Sequence, residues 1–139
     1  MGNADITGLL SGYGMKCTRQ RVDVMRTLVN SNAPMSAEMI FSQLKNVSLS
    51  TVYRILERFT ADGIVTRCVF NGSSEIYYEP SSVKHRHYTV CLGCHEVRYI
   101  DTCPVHDTAI NNFTVTGHRV EFYGYCDKCL KKSAAPSKP

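Results

Sequence analysis

Two Cys-x-x-Cys pairs, Cys91-Leu92-Gly93-Cys94 and Cys126-Asp127-Lys128-Cys129, are the residues of this chain best spaced for chemistry. Thiolates two residues apart grip one side of a tetrahedral ion, and two such pairs close a zinc tetrathiolate with no open position, which makes the site structural. The 31 residues between the pairs exceed the roughly 15 to 20 of common zinc ribbons, so the pairs are expected on separate hairpins or strands joined by a small subdomain. Two redox motifs or a pair of disulfides are the alternative chemistry. The chain shows no apolar leader-like segment and no run of about 18 apolar residues, which predicts a cytoplasmic protein with no membrane partner. A reducing cytosol favours thiolate–metal chemistry over disulfides. Cys17, Cys68 and Cys103 then read as free thiols, and of these only Cys103 sits among metal-type residues.

The elements that must position these cysteines suggest two domains. Residues 1–80 hold neither cysteine pair and carry helical patterns followed by a hairpin, ending at the Glu79-Pro80-Ser81-Ser82 break. Residues 84–130 carry both pairs and all five histidines, and 131–139, rich in Lys, Ser, Ala and Pro, reads as a disordered tail. So small a second domain has little room for a core, whereas a structural zinc contributes about 10 to 16 kcal/mol of apparent folding free energy. It is expected to unfold without zinc.

The net charge of +4 invites a nucleic-acid partner, yet the first 80 residues carry 8 basic and 7 acidic side chains. Placement has to carry the argument. Thr18 can cap a helix to about Asn30, with Val22, Met25 and Val29 on its apolar face and Arg19 and Arg21 at its entrance, close to Lys16. Ser36 can cap a second helix, Ala37 to Lys45. Ser50 is expected to cap a third, Thr51 to Asp62, stopped by Gly63, with Val52, Ile55, Leu56 and Phe59 buried and Tyr53, Arg54 and Glu57 outward. Ile64 to Phe70 and Glu75 to Glu79 read as strands joined by Asn71-Gly72-Ser73-Ser74. Three helices and a hairpin make a winged helix, in which the third helix enters the major groove.

Thr18-Arg19-Gln20-Arg21, Ser50-Thr51-Val52-Tyr53-Arg54-Ile55-Leu56, Gly63-Ile64-Val65, His85-Arg86-His87 before the first cysteine pair, and Phe122-Tyr123-Gly124-Tyr125-Cys126 occur in one order. Over about Leu9 to Cys129 the chain resembles the ferric uptake regulator family of metal-responsive bacterial repressors. The fold class this implies is α+β: an N-terminal winged helix-turn-helix domain followed by a small α/β zinc-containing dimerisation domain. It also implies a homodimer, a structural zinc on Cys91, Cys94, Cys126 and Cys129, and metal-dependent binding to double-stranded DNA at A·T-rich palindromic operators. Lys16, Arg19, Arg21, Ser50, Thr51, Tyr53 and Arg54 are the DNA-binding candidates, Tyr53 packing on a thymine methyl and Arg54 reaching phosphate or base.

The resemblance brings two further metal positions, which this chain fills unequally. A site at the domain hinge falls near Pro34 and at Glu79, Arg86, Tyr88 and Tyr99, where only Glu79 readily binds a cation and Arg86 brings a permanent positive charge. The site within the dimerisation domain falls on His85, His87, His106 and His118. Four imidazoles suit zinc, with nickel or copper next and manganese or magnesium disfavoured; iron would want a carboxylate such as Asp101, Asp107 or Glu121. His95 stands where a Gly commonly follows the second zinc cysteine and reads as a surface residue.

The expected function is therefore a zinc-responsive repressor controlling metal-homeostasis genes. Cys103-Pro104 keeps heme, iron or redox sensing open, and Cys103-x-x-His106 could form a thiol-tuned metal site. A zinc-stabilised interaction module without a DNA target is the rival from another class, and it should lack steeply salt-dependent duplex binding. Catalysis is not expected. A zinc deaminase needs His-x-Glu and Pro-Cys-x-x-Cys, and the chain has neither, nor a Gly-rich phosphate loop.

Overall fold

The computed structural model describes residues 2–70, 73–82, 86–105 and 109–132. Packing divides the chain into two units, Met1–Val69 with Ser74–Val83, and Phe70–Ser73 with Lys84–Pro139.

The first unit is built around helix α1 (Asn3–Gly12), α2 (Arg19–Val29), strand β1 (Met35–Ser36), α3 (Ala37–Gln43), α4 (Leu49–Ala61), β2 (Val65–Cys68) and β3 (Tyr77–Pro80). Thr18 and Ser36 cap α2 and α3 as expected, their hydroxyls accepting from the Arg21 and Met39 amides. The third expected cap is different: Ser48, not Ser50, takes the Thr51 N–H, so α4 starts two residues early and Ser50 lies in its first turn, 3.1 Å from the Ser48 hydroxyl. Val52, Ile55, Leu56 and Phe59 bury the inner face of α4 against Val24, Met25, Leu28 and Ile40. Gly63, at φ +78°, ends the helix in a left-handed conformation, and the Ile64 N–H returns to the Phe59 carbonyl. α1 was not foreseen; it adds Ile6 and Leu10 to this core.

The wing is a three-stranded antiparallel sheet in the order β1-β3-β2, with Met35 opposite Tyr78 and Cys68 opposite Tyr77. Both hairpin strands are shorter than expected, so their connection runs from Val69 to Ile76; Asn71 and Gly72 of the expected turn lie outside the described residues.

The second unit is a sheet in the order β5-β4-β6, formed by β4 (His87–Cys91), β5 (Val97–Ile100) and β6 (Glu121–Gly124), followed by α5 (Asp127–Lys132). β4 pairs antiparallel with β5 and parallel with β6, Cys91 lying opposite Gly124. Lys131 and Lys132 correct the expected tail boundary: they complete the last turn of α5, where their charge offsets the helix dipole. Residues 133–139 lie outside the described residues. No helix among the described residues is long and apolar enough to cross a membrane.

Candidate metal centre and nucleic-acid interface

β4 and α5 bring the two cysteine pairs together. The sulfurs of Cys91, Cys94, Cys126 and Cys129 all lie within 4.8 Å of one another, and Cys94 Sγ is 3.8 Å from Cys126 Sγ. The turn after β4 returns the chain because the His95 N–H donates to the Cys91 carbonyl and His95 takes φ +65°. The exposed His95 thus occupies a left-handed position that glycine accepts most easily. Cys91, at the end of the central strand, accepts from the Cys94 amide at 3.5 Å and the Cys126 amide at 3.3 Å.

Burial works against ionisation of Cys91, but the amides of Cys126, Cys94 and Gly93 outweigh it and bring the thiol down to about 6. The hydrogen bond to Cys91 pushes Cys129 in the opposite direction, up to about 12. Four sulfurs this close cannot all be thiolates without a cation, and a dication relieves that repulsion. The donor set fits a four-cysteine structural zinc.

Gly93 is what lets the turn approach α5. A methyl group there would lie 2.7 Å from Cys129 Sγ and 2.9 Å from its Cβ. Gly93→Ala should therefore displace Cys129 and weaken zinc retention by about 10- to 100-fold, the scale of losing a ligand-orienting contact. Chelator competition reads this directly, and unchanged zinc retention would count against the crowding.

A second group forms at the other end of the sheet. Donor atoms of His87, Cys103 and His118 lie within 4.8 Å of one another. Cys103 Sγ is 3.1 Å from His118 Nε2, and the His87 and His118 rings stack with centroids 4.9 Å apart. His87 Nδ1 accepts from the Val120 amide at 3.0 Å, a bond that an ion held by this ring would have to displace. His118 precedes β6. His85 and His106 lie outside the described residues, as does Asp107. Two imidazoles and a thiol fit zinc or another borderline-soft ion.

The hinge-site positions of the second unit hold aromatic and guanidinium groups. Arg86 stacks 4.1 Å over the Tyr99 ring, and the Tyr88 and Tyr99 rings are 5.7 Å apart. Tyr88 also meets Phe70 edge-on at 4.9 Å, and Arg119 lies over both of those rings. A guanidinium held on a π face offers no donor to a cation.

In the first unit, Tyr53 and Arg54 project from α4, Tyr53 being 38% exposed. The Tyr53 hydroxyl donates to Glu38 of α3, a bond that holds the Glu38 carboxyl below its usual range. Arg54 donates to the Thr51 hydroxyl at 3.1 Å. Thr18, Gln20, Arg21, Thr51, Arg54, Ile55 and Arg58 line one groove. Arg21, which donates to the Lys16 carbonyl at 3.0 Å, thus shares this groove with residues of α4. Arg19 instead lines a separate hollow with Leu44 and Asn46. Arg58 was missed by sequence reasoning, although its position one turn after Arg54 on the same face was legible. Cys103 was read as a possible metal ligand beside His106 but not as a neighbour of His87 and His118.

A winged helix with an exposed Tyr-Arg pair on α4, in one chain with a four-cysteine domain, defines the class of metal-dependent DNA-binding regulators. The sequence profile of the ferric uptake regulator family matches residues 12–123, and the chain belongs to that family. It is 34% identical over 130 residues to the ferric uptake regulation protein of Legionella pneumophila, across 86% of this chain and 95% of that one. In structure it is similar to the Vibrio cholerae ferric uptake regulator, with a TM-score of 0.66 and 27% identity over 86% of this chain and 98% of the other. The Pseudomonas aeruginosa ferric uptake regulator gives a TM-score of 0.63 and 26% identity over 87% and 97%. The protein is a metal-responsive transcriptional regulator, not an enzyme.

Proposed function

We propose that this regulator responds to zinc and, as a homodimer, represses metal-homeostasis genes from A·T-rich palindromic operators. The observation that carries the reading is the donor set at His87, Cys103 and His118: nitrogen and sulfur, with no carboxylate among the described residues of the group. Hard-oxygen ions such as manganese bind poorly to such ligands, whereas zinc accepts both types. The hinge positions support the same assignment, because the Arg86–Tyr99 stack leaves sensing to the sheet site.

An ion held by His87 and His118 would tie β4 to the segment entering β6, since His118 is two residues before Val120, whose amide now bonds His87. β6 is also an edge strand, with Phe122 and Tyr123 exposed on it and Phe113 exposed in the preceding segment. A second copy of the chain is the occupant that would cover this face, so an ion at this site would act close to the dimer contact. The four-cysteine zinc would keep the domain folded irrespective of the signal.

Manganese is the ion to test against zinc, because the similar P. aeruginosa protein is described with it. Operator binding should tighten about 5- to 150-fold on adding zinc, the range of an ordinary allosteric coupling. His118→Ala should remove that response while leaving the four-cysteine zinc in place. Equal activation by manganese, or an unchanged zinc response in His118→Ala, would overturn the zinc assignment.

A further inference from the structure

We infer that Cys103 is a thiolate ligand of the sensing site and the residue that sets its metal preference; this deepens the proposed zinc-responsive reading and rests on it. Three observations converge. Cys103 Sγ lies 3.1 Å from His118 Nε2, and the same sulfur and nitrogen belong, with His87, to one group of mutually close donors. The thiol is only partly buried and contacts the Val105 carbonyl at 3.1 Å, so its surroundings are polar instead of the apolar packing that holds an inert cysteine. Cys103 also lies 15 residues from His118 in sequence, so the pair is brought together by the fold and not by a local turn.

The chemistry that follows differs from that of four imidazoles. Ligation replaces the S–H bond with a metal–sulfur bond, and the proton leaves to solvent. A thiolate carries negative charge onto the ion and is soft, so it favours zinc, cobalt or cuprous copper over manganese and magnesium far more than a fourth nitrogen would. Cys103 would therefore reject the hard ions by ligand type, without any change in cavity size. Thiol-alkylating agents should compete with metal for the same sulfur.

Cobalt(II) is the probe, because thiolate ligation gives a near-ultraviolet charge-transfer band that histidine ligation lacks. Protein that retains its four-cysteine zinc, with zinc release followed by elemental analysis, is titrated with cobalt. Wild type should bind one further cobalt with a thiolate band. Cys103→Ser should still take up cobalt and show its visible absorption, but without that band, and its preference for zinc over manganese should fall about 10- to 100-fold. Cys103→Ala guards against a serine ligand. A bound cobalt whose thiolate band persists in both variants, or that shows none in wild type, would overturn the role of Cys103 while leaving zinc sensing intact. Failure of wild type to take up any cobalt beside its four-cysteine zinc, with operator binding indifferent to zinc, would instead remove the sensing site together with this inference.

Discussion

Replacing Cys91 by Ser should cost the second unit its fold while the first unit stays folded. Cys91 ends the central strand of a sheet of three short strands, and its sulfur receives the amides of Cys94 and Cys126 from both arms of the site. Among the described residues, the buried apolar side chains of this unit are few, chiefly Phe70, Tyr88, Val90 and Val97, whereas the first unit has a core of its own around α2 and α4. Lost zinc removes about 10 to 16 kcal/mol of apparent folding free energy, comparable with the whole stability of an ordinary domain. Far-ultraviolet circular dichroism should therefore retain most of the helical signal. Amide resonances of β4, β5 and β6 should collapse, and the dimer should dissociate with them. Chelation of the wild type should give the same spectrum. A Cys91→Ser protein with native-like sheet resonances would show that the strands hold without the metal.

How much of this was legible in the chain depends on the range of the interactions. Thr18 and Ser36 were identified as caps because a cap is a local contact, and the buried stripe of α4 followed from its 3.6-residue period. Ser48 displaced Ser50 because Asn46-Val47-Ser48-Leu49-Ser50 offers two equivalent hydroxyls, and the choice between them is settled by how α4 packs. α1 was missed since Gly8 and Gly12 interrupt its pattern and its two buried residues, Ile6 and Leu10, gain their meaning only from α2. β1, two residues long, exists solely through pairing with β3, which local sequence does not encode. The four cysteines were readable from spacing alone. Cys103 was not assigned to the second group because its proximity to His118, 15 residues away, is created by the fold and not by local sequence.

Arg54→Ala should weaken operator binding by about 10- to 100-fold without destabilising the protein, the loss expected for a side chain worth about 1 to 3 kcal/mol at a base edge. The argument against a structural effect is that Arg54 is exposed and makes its recorded hydrogen bond to a side chain of its own helix, Thr51. Salt titration tells what Arg54 touches. A phosphate contact lowers the slope of log K against log salt by about 1 and weakens all sequences alike, whereas a base contact relaxes the preference at one operator position. Arg58, in the same groove, provides the internal comparison. Its guanidinium is held by Asp62 at 2.9 Å, which neutralises part of its charge. Arg58→Ala should therefore cost less than Arg54→Ala, and Asp62→Asn, which frees the guanidinium, should tighten binding to duplexes of any sequence by a factor of about 2 to 5, as expected for an exposed ion pair. If both arginine variants bind operator DNA like wild type across the salt series, α4 is not the contact helix and the groove it shares with Arg21 has another purpose.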